Sequence, residues 1–509
     1  QQQSSAASDV YKRQPAGSMI IPNLQPEAPL IAAILEFDAD IIESVLAEER
    51  LRNLKDGSSI MYDTTAFNLT MMYGLEAVTV PSNLEVGLKE WSPQNISIKT
   101  NPEAIIWAVD GVDDNSVAFA ARLMEKGVEV RIIDKEALLS KQSLSRGSIA
   151  VLAMDNPEYE DLSETVNSIA SDLDISVLSI ESGFGAEELP DWGGRHFRLL
   201  ERPQIAILSQ SGFSSYDVGV SWWSLDHHLG IRHSQIDASL VNYADLRRYN
   251  TIILPSGYRD MGEYEKKVLS DWMEQGGTLI AHAASSSALA SEQGIGSVKL
   301  LQNTFEESEK YNISLQRELS ALYEELDIES VNSNKVDLDT AYPWEQSEGK
   351  YPPSQLEYRD NWQSIFMPSG AFVSGRTDQE HWLTFGTNST LPLLYRSYPV
   401  LMSDDSSEAP IRVGVFSDSA KANTYSTINW SDIPPGKELN VRMSGLLWPE
   451  AAQRIANSAY LTRDRIGKGQ LILFSGEPNF RGATLGTNRV WLNAVVYGAG
   501  LGTEPRINP

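Results

Sequence analysis

The sequence predicts an α/β protein of several units, with doubly wound, mostly parallel sheets and a smaller α+β segment on the N-terminal side. Three observations lead there. From about residue 102 onward, short apolar runs alternate with stretches of helical period, the pattern of strand–helix–strand units joined by brief connections. The helical stretches stop on glycine, at Gly127, Gly230 and Gly276-Gly277. And 509 residues with 41% hydrophobic content correspond to roughly three domains at ~150 residues each, enough to bury sizeable cores.

Residues 1–18 (QQQSSAASDVYKRQPAGS) are polar and without period, and Met19 follows. They lack the apolar core of a secretory signal. SSAASDVYKRQ reads as translated sequencing adaptor, an assembly scar; the alternative is a disordered leader. In 19–100, apolar residues at helical spacing (Leu30, Ile34, Phe37, Ile41, Val45) predict helix, ended at Gly57 after a basic last turn. The next stretch, IMYDTTAFNLTMMYGLEAVTV, is rich in β-branched and aromatic residues and predicts strand.

Residues 101–200 form the next unit. EAIIWAV, the helix DDNSVAFAARLMEKG and VEVRIID make one βαβ set; SIAVLAM, the helix NPEYEDLSETVNSIASDLD and ISVLSIES make another, opened by Asn156-Pro157 as cap and first-turn proline. Such repeats predict a small parallel sheet. In 201–509 the strands PQIAILSQ, IRHSQIDA, YNTIILPSG, GTLIAHAAS, IRVGVFS and QLILFSG alternate with the helices SYDVGVSWWSLDHHLG and MGEYEKKVLSDWMEQGG, and TNRVWLNAVVYG closes the series as a helix on the sheet. An acidic, helix-prone stretch and a Pro-, Tyr- and Trp-rich one read together as an insertion at about 298–378.

Composition excludes several classes. A net charge of −28 and a pI near 4.6 argue against a nucleic-acid surface, which needs clustered Lys and Arg. No apolar run approaches the ~18 residues of a transmembrane segment. With 0 cysteines there are no disulfides, thiolate zinc sites or cysteine nucleophiles.

Motifs for catalysis are sparse. Six histidines are present, and none begins H-x-x-E or H-E-x-x-H. His227, His228 and His233 are the best metal candidates, but adjacent helical residues point ~100° apart, and imidazoles at a helix C-terminus are the simpler account. Asp110, Asp113 and Asp114 sit between a strand and a helix, where capping competes with cation binding. Gly183-Phe184-Gly185 and Gly467-Lys468-Gly469 read as turns, and no G-x-S-x-G elbow occurs. His282 and Ser285 follow the strand GTLIA, and ligands of open parallel sheets bind past the C-terminal ends of strands. Together with Ser256 and Asp217 they make up the candidate pocket. A serine without a paired base is weakly nucleophilic, and a structural polar role is the competing reading. Trp222, Trp223, Trp344, Trp362 and Trp382 are of the type that stacks on sugar rings, against the core packing that large aromatics more often serve.

Several stretches resemble the long bacterial zinc carboxypeptidases. They are YDTTAFNLTMMYGLEA (62–77), GGRHFRLLERPQIAIL (193–208), SSYDVGVSWWSLDHHLGI (214–231), YNTIILPSG (249–257), EQGGTLIA (274–281), EHWLTFG (380–386) and GKGQLILFSGEPNFRGATLGTNRVWLNAVVYG (467–498). Their order, across about residues 28 to 500, carries the resemblance. It implies an N-terminal peptidase domain of the carboxypeptidase A type upstream and a long C-terminal region, part of it similar to class I glutamine amidotransferase domains. The sheet of 201–509 is thereby expected to be flavodoxin- or amidotransferase-like.

In that family zinc is held by an H-x-x-E pair and a distant histidine, and a glutamate serves as general acid/base, so that an open zinc position activates water. No residue here matches those ligands. The resemblance therefore implies zinc only in the upstream domain, no cofactor in this chain, and a periplasmic or secreted location. Amidotransferases need a cysteine in the turn after a central strand; the corresponding turn is near Ala281 to Ser285, so a degenerate, non-catalytic domain is implied. The expected partners are the upstream peptidase domain and a peptide or glycan ligand. The alternative is a free-standing ligand- or glycan-binding module.

Overall fold

The computed structural model describes residues 18–504 except 39, 81–88, 93–100, 102–103, 186–188, 259–260, 324–350 and 420–425. The leader up to residue 17 and Trp344 lie outside the described residues. The chain is α/β, with parallel and antiparallel pairing in its sheets.

Three helices open the described chain: α1 (Ala28–Leu35), α2 (Glu43–Asp56) and α3 (Leu69–Met72). Gly57 ends α2 in the left-handed conformation at φ 66°, as its position in the sequence required. The strand expected over 60–80 is not formed. The Asn68 side chain accepts from the Met71 amide and caps α3, so a local polar contact overrides the β-branched composition. Among its described residues the 19–100 segment holds helices and no strand.

The next sheet takes strands β1 (Ile106–Val109), β2 (Arg131–Ile133), β3 (Ile149–Leu152), β4 (Leu178–Ile180) and β5 (Phe197–Leu199), with helices α4 (Ser116–Glu125) and α5 (Leu162–Asp172). Both strand–helix–strand sets are present, but the strands lie in the order β4-β1-β3-β2-β5 and every pairing is antiparallel. β1 and β2 run parallel with β3 between them, and β3 and β4 run parallel with β1 between them. This is the split βαβ arrangement of ferredoxin-like folds, and it corrects the expected parallel sheet. Local periodicity sets each element; it does not say which strand becomes its neighbour. Helix α5 also starts later than expected, because Asn156 spends its side chain on Glu129 and Leu152 instead of capping a helix.

The larger sheet contains β6 (Ile205–Ser209), β7 (His233–Asp237), β8 (Thr251–Leu254) and β9 (Thr278–His282), with α6 (Ser215–Trp223), α7 (Glu263–Glu274) and α8 (Ala283–Leu289) between or after them. Helices α9 (Ser308–Tyr323) and α10 (Pro353–Ser364) follow, then strands β10 (Ala371–Thr377), β11 (Thr390–Tyr395) and β12 (Glu408–Val413). Helix α11 (Pro449–Ile455), strands β13 (Ala459–Ile466) and β14 (Gly469–Phe474), and helix α12 (Leu485–Leu501) complete it. The main path is β11-β10-β12-β13-β14-β9-β8-β6-β7. From β14 to β7 the five strands pair in parallel; from β14 to β11 the pairing is antiparallel. A sheet of mostly parallel strands is thereby corrected to a mixed one. The stretch 298–378 contributes α9, whose Leu315 and Leu319 enter the core, and β10, buried along its whole length.

Alternation along the parallel strands separates two cores. Ile205, Ile207, Ile253, Ile280 and Ile472 pack with α4, α5 and α12. Ala206, Leu208, Ile252, Leu254, Leu279 and Leu471 pack with Leu269, Trp272 and Met273 of α7. Each strand is apolar on both faces, and each face is covered by helices. Helix α12 is buried over nearly its whole length, and Arg489 fastens it to the first sheet unit by donating to the Gly111 and Asp113 carbonyls at 2.8 Å each.

Candidate functional site

Four of the parallel strands deliver side chains to one place beyond their C-terminal ends. After β6 the chain turns through Gln210, Ser211 and Gly212, all at positive φ (60°, 45° and 96°), before Ser214 caps α6. Two consecutive non-glycine residues in the left-handed region mark a tightly determined loop. Asp217, in the first turn of α6, is buried, and its Oδ2 accepts from the Ser256 amide, just past β8. The same oxygen faces His282 Nδ1 at 3.0 Å, from the last residue of β9. Ser285, in the first turn of α8, donates its hydroxyl to the Pro255 carbonyl at 2.6 Å. The structure thus places Asp217, Ser256, His282 and Ser285 around a single loop, 255–256.

Their bonding decides what they can do. The imidazole is oriented by a carboxylate, the arrangement of a general base. Ser285 is committed elsewhere, however, and His282 Nε2 has no partner. No serine–histidine pair exists here. His282 is 1% exposed, and the space beside it, lined by Ser221, Ser224, Asn479, Asn488 and Trp491, is too narrow for a water molecule. Polar atoms of Asn479, Asn488 and Trp491 are likewise buried without partners.

Two further residues bear on the site: Ala283, inside the turn that the resemblance put near Ala281 to Ser285, and Glu477, which the sequence did not single out. Ala283, between β9 and α8, is buried at φ 43°. A sharp, strained strand-to-helix turn is where α/β hydrolases hold their nucleophile, and here the position carries a methyl group. The resemblance located the turn at Ala281 to Ser285, but nothing in AHAAS says which residue takes the positive φ. Glu477 follows β14 on the turn Ser475-Gly476-Glu477. Burial raises its carboxyl pKa, and the Asp217 charge raises it further, against Arg396, His282 and Arg481. Gly476 is needed beside it, since a Cβ there would lie 2.8 Å from the Tyr398 ring.

The other candidates do not assemble. His227 stacks on Trp223 with centroids 5.2 Å apart, while the Asp110 and Asp113 carboxylates accept from Val112 and Asn115 amides in local turns. Among the described residues no group of three or more His, Cys, Asp or Glu is placed to hold a metal ion.

A second opening lies beside the buried cluster. Between β6, β7 and α6 there is a cavity of about 360 Å3, lined among others by Ser209, Gln210, Phe213, Ser215, Trp222 and Gln235.

No family model and no curated protein matches the chain. Solved structures give weak likenesses. A ThuA-like protein from Bacteroides uniformis is 12% identical over 60% of this chain and 95% of that one, with a TM-score of 0.29. A β-galactosidase from Bacillus circulans is 11% identical over 72% of this chain and 38% of that one, with a TM-score of 0.29. The exo-β-1,4-mannosidase Op5Man5 from an Opitutaceae bacterium is 10% identical over 59% and 36%, with a TM-score of 0.26. At these TM-scores the likenesses carry no argument about fold or function. No helix among the described residues is long and apolar enough to cross a membrane.

Proposed function

We propose that this chain is a non-catalytic C-terminal region of a periplasmic or secreted zinc carboxypeptidase-like protein. Its parallel strands are read as a doubly wound, amidotransferase-like unit that keeps the fold and has lost the chemistry. Its role is to pack against a peptidase domain of the same polypeptide, where the zinc would reside.

The observation that carries this reading is the inverted polarity of the N-terminal helices. Helix α2 buries Glu49 and Asn53, while Leu51 and Leu54 face outward. Helix α1, APLIAAIL, buries none of its residues. Leu24, Leu30, Ile42 and Tyr62 are exposed on the same segment. Polar groups fix the segment to the body: Arg50 pairs with Glu450, Asp38 with Arg442, and Asp63 with Arg481. An amphipathic helix normally turns its apolar face to a core, so an outward apolar face calls for a covering domain. The resemblance puts a folded peptidase domain next to this segment. Ala283 at the strained turn and the sealed His282 support the absence of catalysis.

The purified chain should bind no stoichiometric zinc and should release no C-terminal residues from peptides, with or without added zinc. Tight zinc binding accompanied by cleavage would refute the reading.

A second reading, a ligand-binding module, is favoured by the cavity of about 360 Å3 between β6, β7 and α6.

A further inference from the structure

The cavity between β6, β7 and α6 has a composition that selects its ligand. Its volume of about 360 Å3 lies near the lower end of the roughly 300–1,000 Å3 of small-molecule pockets. None of its lining residues is charged. Two aromatic rings, Phe213 and Trp222, supply apolar surface, and Trp222 is 44% exposed. Gln210 and Gln235 offer carboxamides that make no side-chain hydrogen bond to another described residue, and Ser215 adds a hydroxyl. Each carboxamide both donates and accepts, as a ring hydroxyl does. The strained Gln210-Ser211 backbone forms one edge.

The cavity sits beside the edge strand of the parallel half of the sheet. Counted along the chain, the parallel strands β6, β7, β8, β9 and β14 lie in the order 2-1-3-4-5. In such sheets the switch point lies between the first and third strands, here β6 and β8; the cavity lies on the other side of β6, against the edge strand β7 and along α6. On the segments that follow β6, β7 and β8, Tyr216, Tyr243 and Tyr258 are 82%, 86% and 99% exposed.

We propose that this cavity binds a neutral sugar ring, with Trp222 as the stacking platform and Gln210 and Gln235 as hydroxyl partners. The assignment rests on the ligand-binding reading and deepens it. A sugar presents C–H groups on its faces and hydroxyls around its edge, matching aromatic walls with amides between them. Anions are disfavoured, because no cation lines the cavity and the chain carries −28.

The test is calorimetric titration of the chain with cellotetraose, xylotetraose, mannotetraose and laminaritetraose, with tetragalacturonate as the anionic control. At least one neutral tetrasaccharide should bind saturably, with affinity unchanged by added salt, and tetragalacturonate should not bind. Trp222→Ala should weaken binding at least tenfold, and Trp222→Tyr should restore most of it. Gly219→Leu gives a second readout: Gly219 lines the cavity and an added Cβ meets nothing within 4 Å, so a larger side chain fills the space while favouring the helix. It should abolish binding with the melting temperature retained. Absence of binding by all four neutral sugars, or binding that both variants leave intact, overturns the proposal. A non-sugar metabolite whose thermal stabilisation is lost in Gly219→Leu would preserve the ligand-binding reading and remove the sugar assignment; no stabilisation by any compound would remove both.

Discussion

The Asp217 carboxylate holds the His282 imidazole at 3.0 Å in a site where both side chains are nearly inaccessible and His282 Nε2 makes no hydrogen bond to a described residue. The pair therefore acts as a structural clasp tying α6 to β9 and, through the Ser256 amide, to β8.

Removing the clasp should cost stability. Asp217→Ala strands the Ser256 amide and the His282 Nδ1–H in the interior, at about 1–3 kcal/mol for each buried donor. Asp217→Asn keeps an acceptor and should cost less. Urea unfolding of the two variants beside the parent chain checks both the size and the order.

Ala283 makes a different prediction. Its φ of 43° already costs of order 1–2 kcal/mol for an L-residue, and a β-branched side chain fits that region worse. Ala283→Val should destabilise by about 2 kcal/mol more than Ala284→Val one residue later. The parent chain should also resist labelling by a fluorophosphonate probe, because Ser285 is bonded to Pro255 and not to His282.

The outward apolar face should bind dye and tolerate charge. Replacing Leu30, Ile42 and Leu51 with lysine should lower the fluorescence of bound anilinonaphthalene sulfonate, since all three are exposed. Each change should alter unfolding free energy by no more than about 0.5 kcal/mol. A large loss of stability would mean that these side chains are packed within the chain.

Acid should weaken the fold through Glu408. Burial works to raise its carboxyl pKa, but hydrogen bonds from His381 Nε2 at 3.0 Å and from Arg463 at 2.7 Å outweigh it and bring the value to about 2. A carboxyl that ionises more readily in the folded chain contributes stability above its unfolded pKa of about 4.3 and loses it as pH falls through the folded value. The parent chain should therefore lose stability more steeply than Glu408→Gln between about pH 4.5 and 2 in thermal melts.

The elements themselves were largely legible in the sequence. The buried strands at 205–209, 251–254 and 278–282, the helix at 263–274 and the glycine stops at Gly57 and Gly230 follow from period and backbone conformation alone. Pairing was not legible, because the antiparallel order of β1 to β5 depends on which non-local neighbour each strand finds. Nor was the strand at 371–377, because Ser374, Gly375, Arg376 and Thr377 break the continuous apolar run that marks the other strands buried on both faces. Of the site, the strand-end rule located His282, Ser285 and Ser256. It could not reveal that Ala283 takes the strained turn, because alanine carries no chemical signal, or that α2 faces inward with Glu49 and Asn53.

The measurement that bears most directly on the central claim is recovery of the native DNA upstream of the Met19 codon, read in frame. The expected result is an open frame encoding an H-x-x-E pair, a later histidine and a signal peptide, which would make this chain the C-terminal region of a zinc carboxypeptidase. A stop codon and ribosome-binding site immediately before Met19 would contradict that account and leave the ligand-binding module in its place.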